Sequence, residues 1–177
     1  MTVPVTDRRG REAESYVTRF GSLAEYEKGG VEIINDDPRH YAFSNVFEVA
    51  SNARPYEKIA VGKNMKYVLE ALRAEGTSPW YTSAHDEFAL VLDGEVEITL
   101  VRLDESPVPG ETEGSQVLDG EPAGRRMGRV VAGRGHMTLL PKGAAYRFAA
   151  ERPGVVLMQT IAGAHTQFRW AEICQSL

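Results

Sequence analysis

A chain of 177 residues and 19.5 kDa, 42% hydrophobic and 25% charged, has the makeup of one globular domain and not of a disordered or membrane-embedded protein. Its net charge of −5 provides no attraction for a phosphate backbone, so nucleic acid is not an expected partner. A single cysteine, Cys174, closes no internal disulfide, and four histidines without a CxxC make no structural zinc cluster.

Residues 1–30 read as an N-terminal arm and short lead-in. The first fifteen are charged and patternless, and they lack the apolar core of a leader peptide. A soluble, cytoplasmic protein with no membrane partner is therefore expected. Tyr16–Gly30 has room for a short helix, punctuated by Gly21, Gly29 and Gly30. From residue 31 to 177 the pattern is that of one β domain. HYAFSNVFEVA (40–50) is aromatic and β-branched and reads as strand. MKYVLEALRA (65–74) has helix formers at helical spacing, yet it sits between strands and stops at Gly76, so it is assigned to strand.

DEFALVLDGEVEITLVRLDE (86–105) places two apolar runs on either side of Asp93-Gly94, the dipeptide that most favours a hairpin turn. The stretch 106–128 is rich in Gly, Pro and Glu and reads as a long surface loop. Short strands separated by Gly and Pro follow over 129–163, a rhythm that suggests a small all-β sandwich or barrel. The last segment carries Phe168, Trp170 and Ile173, which are expected to pack on the barrel or on another subunit. Lys58, Lys63 and Lys66 read as a solvated strand edge.

Two stretches resemble the paired motifs of the cupins. The first, G-x5-H-x-H-x3-4-E-x6-G, corresponds here to Gly76, TSPWYTSAHD, Glu87, six residues and Gly94. The second, G-x5-P-x-G-x2-H-x3-N, corresponds to Gly135, Pro141, Gly143, Tyr146 and Ala150. The resemblance covers about 76–150 and implies an all-β double-stranded β-helix, or jelly-roll, barrel. In that family two histidines, the glutamate and the later histidine usually bind iron, manganese, nickel or zinc. The histidine positions hold Tyr81 and Ser83 with one spacing, or Trp80 and Thr82 with the other, and the later position holds Tyr146. Only Glu87 remains. Hydroxyls beside one carboxylate are poor ligands for a divalent transition ion, so no metal or other cofactor is expected in this chain.

His85 lies two residues before Glu87, so on a strand both point the same way. The pair suits a general base with its orienting carboxylate; the plainer alternative is a histidine tucked at the barrel mouth and bonded to its neighbour. His85, Glu87 and Tyr146 are the catalytic candidates, with Trp80, Tyr81 and Ser83 as pocket residues. His136, His40 and His165 lie away from the family's ligand positions.

A narrower likeness covers residues 35–97, which look like the small subunit of two-component hydroquinone 1,2-dioxygenases. These enzymes serve bacterial degradation of 4-nitrophenol and related phenols. The resemblance implies a supporting subunit with a degenerate cupin barrel in an α2β2 assembly. Fe(II) and ring cleavage would then belong to a larger cupin partner. Two other readings stay open: an autonomous cupin enzyme of isomerase or lyase type using His85 and Glu87, possible as a homodimer, and a small-molecule-binding cupin module.

Overall fold

The computed structural model describes residues 21–26, 34–37, 45–105 and 107–174. In chain order the elements are α1 (Val46–Asn52), β1 (Ile59–Asn64), β2 (Tyr67–Thr77), β3 (Trp80–Thr82), β4 (Glu87–Asp93), β5 (Glu95–Leu103), β6 (Gln116–Leu118), β7 (Gly124–Gly133), β8 (Met137–Leu140), β9 (Ala144–Ile161) and α2 (Trp170–Cys174). Their strands form one curled antiparallel sheet of cupin-like, jelly-roll type, as the all-β reading expects.

The long strand β9 organises the barrel. Its second half, 154–161, lies between β2 and β4. Its first half, 144–150, lies between β5 and β3. β1 extends the sheet beyond β2, β8 beyond β4, β7 beyond β5 and β6 beyond β3. Alternation puts Leu72, Ala74, Ala89, Val91, Val96, Ile98, Phe148, Val156 and Met158 into one interior cluster. Each large apolar side chain withdrawn there contributes about 1.5–3 kcal/mol. MKYVLEALRA is strand, within β2: flanked by β1 and β9, it gains ladder bonds and core packing that outweigh its local helix propensity.

Several expectations are corrected. Asp93-Gly94 turns no hairpin, because β4 and β5 do not pair with each other. Both run along β9, β4 opposite 155–159 and β5 opposite 144–149. The dipeptide makes a corner facing Pro153-Gly154. Gly94 has φ +76°, and a β-carbon there would stand 3.1 Å from Gly154 Cα. The same tolerance of positive φ serves a corner as well as a hairpin.

The described part of 40–50 is helix, not strand. Asn45 caps α1 by accepting from the N–H groups of Phe47 and Glu48, and Glu48 lies in the acidic first turn. This capping signal overrides the aromatic, β-branched composition. Residues 21–26, the described part of the proposed lead-in helix, hold bends instead. The loop 106–128 contains β6 and the first half of β7, and Ser115 within it is buried. Pro153-Gly154 does not end a strand; β9 continues through it, the ladders skipping 151–153. Ile173 belongs to this chain's own packing, in a cluster with Ala53 and Ile59, so it is not left over for a partner.

Candidate functional site

The barrel interior is polar at one end. Glu87 opens β4 in phase with inward-facing Ala89 and Val91 and is fully buried. Its Oε1 accepts from Ser115 Oγ at 2.7 Å and Thr160 Oγ1 at 2.5 Å, and its Oε2 accepts from the Tyr146 hydroxyl at 2.5 Å. Glu70, in phase with Val68 and Leu72 on β2, is also buried. Thr166 Oγ1 donates to its Oε1 at 2.6 Å, while Oε2 has no hydrogen-bond partner. Burial pushes the Glu70 carboxyl above its ordinary range, against the opposing pull of the Lys58 ammonium.

Lys58 reaches the same interior from the residue before β1. Its Nζ donates to Ser115 Oγ at 2.5 Å, stands 4.0 Å from Glu70 Oε2 and lies 4.5 Å from the Tyr81 ring centre. Tyr81 in turn packs 5.7 Å from the Tyr146 ring, which meets Phe148 edge-on. Burial raises the Tyr81 hydroxyl to about 12. Burial and the Glu87 carboxylate hold Tyr146 well above the usual phenol range, so its proton stays on the bond to Glu87.

His85 sits at the rim of this cluster, its side chain 19% exposed. Ser83 donates its hydroxyl to the His85 carbonyl at 2.8 Å and lies 3.0 Å from Nδ1. The Ile161 N–H donates to Nε2 at 3.3 Å. With Nδ1–H donating to Ser83, Nε2 accepts from Ile161, while Thr160 Oγ1, 3.1 Å from Nε2, gives its own proton to Glu87. Burial lowers the imidazole's affinity for a second proton, only partly offset by Glu87, whose Oε1 is 3.9 Å away. Five of the sequence candidates, Tyr81, Ser83, His85, Glu87 and Tyr146, thus converge. The polar atoms of Ser83 and His85 meet each other, those of Glu87 and Tyr146 meet each other, and Tyr81 joins the cluster through its ring.

Trp80 is not among them. Neighbour to Tyr81 on β3, it faces the opposite side, packs with Val101 and Ala145, and donates Nε1–H to Glu121 at 3.0 Å under the Arg147 guanidinium. Thr82, the alternative motif position, spends its hydroxyl on the Ala144 carbonyl. His136 is exposed in the turn before β8 and bonds to Gly133; His165 is exposed, and His40 lies outside the described residues.

Among solved structures, the chain is 54% identical to a chain of the hydroquinone 1,2-dioxygenase PnpCD in complex with Cd2+ and 4-hydroxybenzonitrile. The match covers 92% of this chain and 98% of that one, with a TM-score of 0.86. It is 58% identical to a chain of hydroquinone 1,2-dioxygenase from Sphingomonas sp. TTNP3 with 4-hydroxybenzoate bound, over 91% and 98%, with a TM-score of 0.87. A longer chain in the Sphingomonas enzyme with 4-nitrophenol shares the fold alone. There the TM-score is 0.59 at 14% identity, over 86% of this chain and 40% of that one. Two full-length matches above half identity, to the shorter kind of chain, decide the family. This chain belongs to the hydroquinone 1,2-dioxygenase small subunits. No protein-family model and no curated protein matches it.

In this small subunit the cupin ligand positions do not fit a metal ion. Positions 81, 83 and 146 offer two phenols held protonated and one serine hydroxyl already in use. Both Glu87 oxygens are taken by hydroxyl donors, and an ammonium occupies the adjoining space. Among the described residues, no group of three or more His, Cys, Asp or Glu is placed to hold a metal ion.

The sequence reading missed Lys58, Glu70, Ser115, Thr160 and Thr166. Glu70 left a signal, a charged residue two positions from Val68 and two from Leu72 in a strand's inward phase. Lys58 differs from the expected solvated strand edge that Lys63 and Lys66 do form, and nothing local distinguishes it from them. Ser115 sits in a Gly- and Glu-rich loop whose composition says exposed; its burial depends on Gly114, whose φ is +74° and whose α-carbon packs against Gly163.

Proposed function

We propose that this chain is the metal-free subunit of a two-component hydroquinone 1,2-dioxygenase, assembled as α2β2 with a larger cupin subunit that holds Fe(II). The observation that carries the reading is the full-length likeness at 54–58% identity joined to a barrel interior closed by its own side chains. The partner opens the ring of hydroquinone with one O2, both oxygen atoms ending in 4-hydroxymuconic semialdehyde. This subunit supports the partner's active arrangement. His85, Glu87 and Tyr146 act within it as a structural network, since the hydroxyls and N–H groups around them already engage their acceptor atoms.

The test is co-expression of the tagged chain with its larger partner, followed by an oxygen-electrode assay with hydroquinone and Fe(II). The expected result is a heteromer that consumes O2 and an isolated chain that does not. An isolated chain that turns over hydroquinone, with activity abolished in H85A or E87Q, would overturn the proposal in favour of an autonomous enzyme.

A further inference from the structure

Glu70 and Glu87 are 1% and 0% exposed inside the same barrel. A carboxylate withdrawn from water is costly to keep ionised unless a positive charge accompanies it. In a metal cupin the divalent ion supplies that charge. Here the donor set does not fit an ion, and His85 at the rim is held neutral. Among the described residues, Lys58 is the only lysine or arginine that is buried, at 3% exposed.

We propose that the Lys58 ammonium is the resident cation of this barrel, taking the electrostatic place of the metal ion and thereby keeping metal out. Its contacts are those of a counter-ion. Nζ faces Glu70 directly at 4.0 Å and reaches Glu87 through one hydroxyl: Ser115 Oγ accepts from Nζ at 2.5 Å and donates to Glu87 Oε1 at 2.7 Å. The Tyr81 ring face at 4.5 Å and Met158 Sδ at 3.7 Å, both electron-rich, cover the ammonium elsewhere. The tether is fixed as well. The Lys58 carbonyl accepts from Gln167 N–H at 2.8 Å, and adjoining Thr166 holds Glu70. One C-terminal segment therefore positions the cation and its first carboxylate together. The barrel's positive charge is built into the chain and needs no supply of metal: one ammonium serves two carboxylates, and the hydroxyls of Ser115, Tyr146 and Thr160 support the charge on Glu87.

The inference rests on the metal-free reading of this barrel and not on the identity of the partner. Its test is urea denaturation at neutral pH of the full-length chain and of K58M, E70Q and K58M/E70Q, with metal analysis after incubation with Zn2+. K58M strands two buried carboxylates and should lower the urea midpoint by about 1–2 M. Removing one of those charges in K58M/E70Q should recover a large part of that loss. Should K58M fail to fold, a cooperative transition in K58M/E70Q is the expected result. A double variant no more stable than K58M, or equally unable to fold, overturns the inference while leaving the metal-free reading intact. Stoichiometric zinc in the unaltered chain, lost in E87Q, overturns both.

Discussion

The Tyr146 hydroxyl on β9 donates to Glu87 Oε2 on β4 at 2.5 Å, with both residues essentially unexposed. In metal cupins these two positions carry a histidine and a glutamate joined by the ion between them. In this chain a phenol closes the gap directly, so the strands β4 and β9 are linked across the interior by a hydrogen bond to a charged group instead of by coordination.

Removing that donor should be costly. Y146F leaves Glu87 Oε2 without its hydroxyl and preserves the ring packing against Tyr81 and Phe148. A buried charged acceptor left short of a partner costs about 1–3 kcal/mol. The expected outcome is a lower urea midpoint with an unchanged denaturant slope.

His85 makes stability depend on pH in a definite direction. Its folded-state pKa is lowered below the ordinary 6.5, chiefly by burial. Its contribution is therefore fully present above the unfolded-state pKa and is lost as pH falls through the folded-state value. Urea midpoints followed downward from pH 8 should fall more for the natural chain than for H85Q. Parallel curves would remove His85 as the titrating group.

Glu70 acts in the opposite sense. Its folded-state pKa is raised, first by burial, so the contribution it makes is present below the ordinary carboxylate range and lost as pH rises through the folded-state value. E70Q cannot ionise. Its midpoint relative to the natural chain should therefore be more favourable at pH 8 than at pH 4.

Gly114 tests how firmly the long loop is tied to the barrel. Alanine there must adopt φ +74° and place its β-carbon 2.6 Å from Gly163 Cα. The strained backbone alone costs about 1–3 kcal/mol, and the displaced loop withdraws Ser115 from Glu87 and Lys58. G110A, in the same loop with open space around its α-carbon, is the control and should be near neutral. Thermal unfolding of the two variants should differ clearly; equal values would mean that Ser115 is not held by this turn.

Much of the fold is local information. Glu87-Phe88-Ala89-Leu90-Val91 alternates burial at every step, and a strand with that pattern buries the same face wherever it pairs. Gly94, Gly135 and Pro141–Gly143 did mark breaks between strands, though Pro153-Gly154 did not, and the cupin resemblance made the loss of ligand types at 81, 83 and 146 legible from residue identity. Pairing partners were not. Asp93-Gly94 states only that the chain can take a positive φ. Whether β4 then meets β5 or continues along β9 depends on the 18-residue strand some sixty residues further on.

The sequence by itself determined an all-β chain, because strand periodicity is a property of neighbouring positions, and its resemblance to the cupin motifs marked an altered ligand set with Glu87 as the survivor. The tertiary structure alone decided that Lys58, Glu70, Ser115, Thr160 and Thr166, from four separated stretches of chain, join one interior network with that glutamate, Ser115 and Thr160 touching it directly. A lysine at a strand start, a serine in a polar loop and two threonines carry no mark of burial. They acquire it only when the closed barrel excludes water, and each buried charge must then find its partner among groups the chain brings from afar.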